Sequence, residues 1–345
     1  MKYQIRKSLT ETQAWAASSE KQITLPNEGA ITRIVLHYVL TVTACLAADT
    51  NTQLAAYKAI QNLKIEGSNG GTYFGASGEQ MGRLLHIINQ VDFKKTNFAK
   101  GMTTNNIYGN LILHFGSRPI DAYGRDNPFD LTAFIPAQDE SPNGLKLTIS
   151  TTQAADICDT AIDITAGTFS VDVYEVLGLP SMAGYKPMSN TEFYAHSANK
   201  SDLSDLHDLP TGCFLRRIFL LSQDDTTIAN GGPLLADDEI AKVGLILPKE
   251  NRRLIESNWV FLTEPLALTQ IPVNTAAGAV TKPINQVITG VGILDLREFA
   301  NPDYGLDLRG YQTGDVKLGL TIQNYAVGDD TIIYYDTVQP YAGRR

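Results

Sequence analysis

The sequence predicts an all-β protein: two tandem sandwiches of about eight strands each, with short helices in the connections. Three observations carry that prediction. Short β-branched and aromatic runs recur along the chain with Gly, Pro, Asn or Asp between them, only two stretches show helical spacing, and motifs of the first half return in order in the second. Of 345 residues, 43% are hydrophobic and 19% charged, against roughly 25% charged in an average globular domain. A chain of that composition folds around a substantial core instead of remaining a solvated tail.

The first run, 31–43, is dense in Ile, Val, Thr and Tyr, and Arg33 and His37 within it make it a strand instead of a lipid-spanning segment. Runs at 62–65, 107–115, 131–135, 145–150 and 169–176 complete the first half, punctuated by turn formers such as Gly116, Pro136 and Gly144. The second half repeats the pattern at 214–221, 243–247, 259–262, 287–296, 316–322 and 331–335. The run 259–262, Trp-Val-Phe-Leu, reads as a strand because it is continuously apolar. Helical spacing occurs at 53–61, through Leu54, Ala56, Tyr57 and Ile60, and at 79–89, through Met81, Leu84, Leu85 and Ile88. Both read as packing helices in long connections.

The strongest organisational signal is an internal echo. Tyr108-Gly109-Asn110-Leu111-Ile112-Leu113, then Asp121-Ala122-Tyr123-Gly124-Arg125-Asp126, match Thr289-Gly290-Val291-Gly292-Ile293-Leu294, then Pro302-Asp303-Tyr304-Gly305-Leu306-Asp307. Gly109, Ile112, Leu113, Tyr123, Gly124 and Asp126 each have an identical residue 181 positions later, without a gap. Arg33-Ile34 returns as Arg217-Ile218 after 184 positions, and Leu147-Thr148-Ile149 as Leu320-Thr321-Ile322 after 173. A repeated order of strands indicates duplication of a whole sandwich.

The expected divisions are an N-terminal arm at 1–25, a first sandwich at 26–178, a linker at 179–211 and a second sandwich at 212–345. Pro180, Gly184, Pro187, Ser189, Asn190 and Pro210, with the charged stretch 201–208, mark the linker. The arm begins with Lys2, Arg6 and Lys7 and continues through Leu9 and Trp15; no apolar run follows its charged start, so a secretory signal is not expected. The loop 269–286, charged only at Lys282, is functional, ornamental or packed on a neighbouring subunit.

Chemistry-bearing constellations are scarce. The net charge of -9, from 28 Lys and Arg against 37 Asp and Glu, argues against broad electrostatic binding to nucleic acid, and no sequence-specific nucleic-acid partner is expected. Cys45, Cys158 and Cys213 are far apart and odd in number, which suits buried thiols rather than a disulfide framework or a paired-cysteine metal site. His37, His86, His114, His196 and His207 lack the clustering of a cupin metal centre, and structural hydrogen bonding is the reading for His37 and His114. Gly75-Ala76-Ser77-Gly78 falls one residue short of a nucleophile elbow and reads as a turn, and no phosphate loop exists. Asp224-Asp225, Asp237-Asp238-Glu239 and Asp329-Asp330 lack the spacing of a calcium loop and read as solvated turns. Asn199-Lys200-Ser201 is a glycosylation-type triplet. No catalytic, cofactor-binding or metal residue is therefore assigned, no cofactor is expected, and the chain does not read as an enzyme.

Two consecutive sandwiches, an internal echo carried by Tyr123-Gly124-Arg125-Asp126 and Tyr304-Gly305-Leu306-Asp307 with their preceding strands, and no catalytic constellation resemble the double jelly-roll major capsid proteins of tailless icosahedral DNA viruses. The resemblance spans nearly the whole chain. It implies two tandem eight-stranded jelly rolls, a homotrimer forming a pseudo-hexameric capsomer, and contacts with neighbouring capsomers and with minor capsid or vertex proteins. It places the protein in the virion, and in host cytoplasm during assembly. It also suggests an internal viral membrane as a partner of the basic N-terminal arm. The alternative from a different class is a two-domain β-sandwich binding module, such as a carbohydrate-binding or appendage protein, for which only Trp15 and Trp259 are available as tryptophans.

Overall fold

The structure, a computed structural model, describes residues 4–10, 12–42, 60–77, 84–85, 88–89, 98–100, 106–151, 164–228, 232–235, 238–263, 270–271, 284–285 and 290–343. In the first half the strands are β1 (Gln4–Leu9), β2 (Gln13–Ala14), β3 (Glu20–Thr24), β4 (Ala30–Val42), β5 (Ile60–Glu66), β6 (Thr72–Ser77), β7 (Phe98–Lys100), β8 (Asn106–His114), β9 (Ile135–Pro136), β10 (Lys146–Thr151) and β11 (Ile164–Leu177). In the second half they are β12 (Gly184–Pro187), β13 (Asn190–Ala195), β14 (Lys200–Asp208), β15 (Phe214–Ile228), β16 (Gly232–Leu235), β17 (Ile240–Leu247) and β18 (Arg252–Asn258). They continue as β19 (Gln270–Ile271), β20 (Ile284–Asn285), β21 (Val291–Asp295), β22 (Leu306–Asp307), β23 (Lys317–Ile322) and β24 (Asp330–Tyr341).

The sheets make two jelly rolls. The first half pairs β1-β11-β4-β8-β7 in one sheet and β3-β10-β5-β6 in the other. The second half repeats the order: β12 and β13 lie on β24, β24 on β15 and β15 on β21, opposite a sheet β14-β23-β17-β18. The echo is one of register as well as order. Arg33 and Ile34 face His114 and Leu113 across β4 and β8, while Arg217 and Ile218 face Asp295 and Leu294 across β15 and β21. Thr148 faces Lys64, as Thr321 faces Lys242. The repeated residues are thus cross-strand partners, which is why they recur together.

Alternation on these strands fills the interiors. Ile31, Ile34, Leu36, Leu63, Leu147, Phe169 and Val173 are buried in the first core, and Leu215, Ile218, Val243, Leu245, Leu318 and Leu320 in the second. Each such side chain contributes about 1.5–3 kcal/mol relative to an exposed one. The first core also takes in Phe219, Leu221, Val291, Ile293, Ile332 and Tyr334 from the second half, so the two rolls share apolar packing.

Gly109 shows how tight β8 is. A Cβ there would lie 2.0 Å from Cζ of the fully buried Tyr38. Gly109→Ala is expected to lower stability by about 1–3 kcal/mol, read as a lower thermal midpoint.

Several expectations are corrected. The stretch 179–211 is not a linker: β12 and β13 pair with β24, and β14 pairs with β23, so it supplies the opening strands of the second roll. Its prolines and glycine mark turns and an edge position rather than a crossing between domains. Nor is 1–25 a separate arm, because β1 pairs with β11 and β3 with β10 in the two sheets of the first roll. Residues 259–262 form a helix, α1 (Trp259–Thr263), with Trp259 and Leu262 buried on one side and Val260 and Phe261 exposed on the other. A short apolar run cannot by itself distinguish strand from helix, and burial at a spacing of three decided this one. Residues 131–135 are largely irregular: Ala133, Phe134 and Ile135 are buried, but only Ile135 joins β9, and the Phe134 N–H donates to Tyr185 O. Gly75-Ala76-Ser77 lies within β6, not in a turn.

For the helix expected at 79–89, Leu84, Leu85, Ile88 and Asn89 are helical and buried. Asn89 clasps β8 by donating from Nδ2 to Ile112 O and accepting the Ile112 N–H at Oδ1, each at 2.7 Å. Of the helix expected at 53–61, Ile60 and Gln61 belong to β5 and the rest lies outside the described residues. Most of the 269–286 loop also lies outside them.

Candidate assembly surfaces

The first functional element is the junction that locks the rolls together. Phe74 of β6 packs against Tyr334 of β24, and the Gly75 N–H donates to Ser189 O beside a Phe74–Ser189 bridge. Arg216 of β15 donates from Nη1 to Phe115 O at 2.7 Å and from Nε and Nη2 to Asp336 Oδ1. Arg217 donates from Nε to Asp336 Oδ2 at 2.8 Å, and all three charged groups are buried. The two guanidiniums offset the cost of burying Asp336 and hold its carboxyl well below the usual range.

At the end where the β8–β10 and β21–β23 connections meet, Arg118 grips Asp303 from Nε at 2.7 Å and Nη2 at 2.8 Å, and Arg297 donates to Ser117 O at 3.1 Å. The Tyr-Gly-x-Asp segments occupy these equivalent connections. Gly124 and Gly305 both take left-handed backbone, with φ of 77° and 72°. Their tyrosines diverge, for Tyr123 is exposed while Tyr304 packs on Tyr185 and Phe214. The many contacts across the junction make one tile with two similar corners.

The second element is the outer surface. β1 turns Ile5 and Leu9 outward, β13 turns out Phe193, and α1 turns out Val260 and Phe261. Tyr123 and Phe299 protrude from the connections just described. A groove of about 580 Å³ crosses the outward face of β3-β10-β5-β6, lined by Glu20, Asn62, Lys64, Thr148, Met188 and Asn190. Several surface arginines are matched within the chain: Arg125 with Asp121, Arg309 with Asp307, and Arg253 with Asp202 and Glu256. Scattered apolar side chains among self-paired charges suit extended contacts with neighbours more than one ligand pocket.

The basic groups of the supposed arm are likewise engaged. Arg6 donates to Glu175 and Glu28, Lys7 lies 2.6 Å from Asp172, and Trp15 is buried in the first core. Leu9 remains exposed, and Lys2 lies outside the described residues.

His37 sits between Asn110 Oδ1 at 2.6 Å and Asp172 Oδ2 at 2.9 Å, and buried His114 accepts from Arg33 Nε at 3.3 Å. His196 and His207, which read as isolated residues of a linker, converge on Asp205. Only strand pairing brings them together. Cys213 is buried and its thiol is pushed up to about 12, chiefly by burial. Cys45, Cys158 and His86 lie outside the described residues. Of the acidic clusters, Asp224-Asp225 lies within β15, Glu239 is buried and accepts from Ser222 Oγ at 2.7 Å while Asp238 is exposed, and Asp329 and Asp330 are buried, so this last pair is not a solvated turn. Asn199 is exposed, with Oδ1 accepting the Tyr325 N–H. Among the described residues no group of three His, Cys, Asp or Glu side chains is arranged to hold a metal ion.

No protein-family model and no curated protein matches the sequence. Solved structures do share its fold. The chain is similar to the crystal structure of the STIV MCP, at 17% identity and a TM-score of 0.71, over 98% of each chain. It is similar to a chain in the atomic structure of Sulfolobus Turreted Icosahedral Virus, at 16% identity and a TM-score of 0.72, over 98% of this chain and 91% of that one. It is also similar to the major capsid protein P2 of Bacteriophage PM2, at 11% identity and a TM-score of 0.52, over 98% of this chain and all of that one. At these identities the likeness is one of fold, the double jelly roll.

Proposed function

We propose that this chain is the major capsid protein of a tailless icosahedral virus, and that three copies form a capsomer with six sandwich corners. The observation that carries the reading is the packing of two jelly rolls of the same strand order and register against each other in one chain, in an arrangement whose solved counterparts include the STIV MCP and the major capsid protein P2 of Bacteriophage PM2. A trimer of such units approximates a hexagon and closes by cyclic symmetry with one repeated interface. The role is structural: repeated surface matching, without a catalytic group or cofactor. Neighbouring capsomers are its main partners, with minor capsid or vertex proteins at special positions of the shell, and the virion is its location.

The binding-module alternative loses its best instrument, since Trp15 and Trp259 are both buried. The exposed aromatics Tyr123, Phe193, Phe261 and Phe299 belong to different elements of the chain.

Light scattering of the purified chain is expected to give three times the monomer mass, and electron microscopy a hexagonal outline. A monomer at every concentration up to those of assembly would count decisively against the proposal.

A further inference from the structure

At one corner of the second roll, three stretches distant in sequence close around a single imidazole. His196 follows β13, Asp205 and His207 lie on β14, and Asp329 immediately precedes Asp330 and Thr331 at the start of β24. The His196 side chain is almost wholly enclosed. Its Nε2 lies 2.7 Å from Thr331 Oγ1, its Nδ1 lies 3.5 Å from Asp205 Oδ2, and its backbone N–H donates to Asp329 O. The same Asp205 oxygen is 3.2 Å from Nε2 of His207, whose ring packs at a tilt against Tyr194, 3.9 Å between centroids.

Asp330 is 8% exposed, and its Oδ1 is enclosed with no hydrogen-bond partner. Burial pushes its carboxyl up to about 6, opposed by His196 and reinforced by Asp329. The two imidazoles hold Asp205 well below the usual carboxylate range. The other titratable or charged groups around the cluster are Glu192 and Tyr194 from β13, Asp208 from β14, Tyr335 from β24, and Lys317 of β23, which pairs with Asp208 at 3.0 Å.

We propose that His196, Asp205, His207 and Asp330 form a proton-operated clasp that fastens the β13–β14 corner to the loop before β24 in acid and loosens it as the pH rises. With Asp330 neutral, Asp205 faces both imidazoles and the enclosed Asp330 carboxyl carries no charge that needs a partner. With Asp330 ionised, a desolvated negative charge sits beside Asp329, and its enclosed Oδ1 has no hydrogen-bond partner. Because the folded Asp330 carboxyl is raised above its ordinary value, its stabilising contribution is full below about pH 4 and is lost as the pH rises through about 6.

The element biased is the loop 323–329, tied to the corner by the Tyr325 N–H on Asn199 Oδ1 at 2.8 Å and presenting Val327 to solvent. Its order, and with it the surface it offers, would follow pH.

The test compares thermal melts of the wild type, Asp330→Asn and His196→Gln from pH 4.5 to 8. Wild-type Tm should fall between pH 5 and 7.5, and Asp330→Asn, permanently uncharged, should melt at least about 3 °C above it at pH 7.5 while matching it at pH 5. His196→Gln should lose most of the advantage at pH 5. An Asp330→Asn profile parallel to that of the wild type at every pH would overturn the clasp. Hydrogen exchange on the wild type keeps the test open should a variant fail to fold. After correction for intrinsic pH dependence, amides in 197–205 and 324–331 should be about tenfold better protected at pH 5 than at pH 7.5. Equal protection would also overturn it.

Discussion

Deletion of residues 1–22 is expected to abolish recovery of soluble folded chain. The cut removes β1, β2 and most of β3, so β11 and β10 each lose an antiparallel partner in opposite sheets of the first roll. It takes away Trp15 from the core, and loss of a buried aromatic of that size alone costs about 3–5 kcal/mol. It also strips Arg6 from Glu175, whose side chain is fully buried and which Arg6 contacts from Nε at 2.9 Å and Nη2 at 2.6 Å. Together these approach the whole stability of an ordinary domain, about 5–15 kcal/mol, and the exposed strand edges favour aggregation. The comparison is a matched expression of full-length and truncated chains, scored by soluble yield and circular dichroism. A truncated chain that remains soluble, cooperative and trimeric would mean that β1 to β3 act as a detachable strap after all.

Asp336→Ala is expected to be the most damaging single substitution at the junction, at about 3–5 kcal/mol. Asp336 is 2% exposed and is the shared partner of Arg216 and Arg217, themselves 3% and 5% exposed. Removing the carboxylate leaves two desolvated guanidiniums facing each other's charge, whereas the pair Arg216 and Phe115 O would lose its alignment between rolls. Chemical denaturation should show an earlier midpoint for Asp336→Ala. Arg125→Ala, at an exposed pair with Asp121, should stay within about 1 kcal/mol of the wild type. The sign of the pH dependence follows from the depressed carboxyl. Its stabilisation is fully present above the unfolded carboxylate value of about 3.9 and is lost as the pH falls towards the lower folded value. The Asp336→Ala variant should therefore lose the part of the acid-unfolding transition that this group supplies. Equal stability of Asp336→Ala and wild type would show that the rolls do not depend on this contact.

These sites differ in how far they can be read from the chain. The strands around Ile34, Leu113, Leu147, Ile218, Leu294 and Leu320 are legible because period-two burial writes itself into composition, and their duplication is legible because cross-strand partners are repeated together. From these the fold class follows without coordinates. The roles of residues 4–24 and 184–208 are not legible in the same way. β1, β12 and β13 are edge strands buried on few positions, so their polar sequences, with a proline closing β12, look like a tail and a linker until their backbone partners in β11 and β24 are seen.

Side-chain constellations belong wholly to the tertiary structure. Nothing local relates Asp336 to Phe115, or His196 to Thr331, since their meeting depends on sheet register and on the way the second roll seats against the first. The run Trp259-Val260-Phe261-Leu262 makes the same point at short range. Its apolarity was determined by the sequence, but one helical turn prevailed over a strand because Trp259 had to fill the space over Gly292, which only the folded sheet creates.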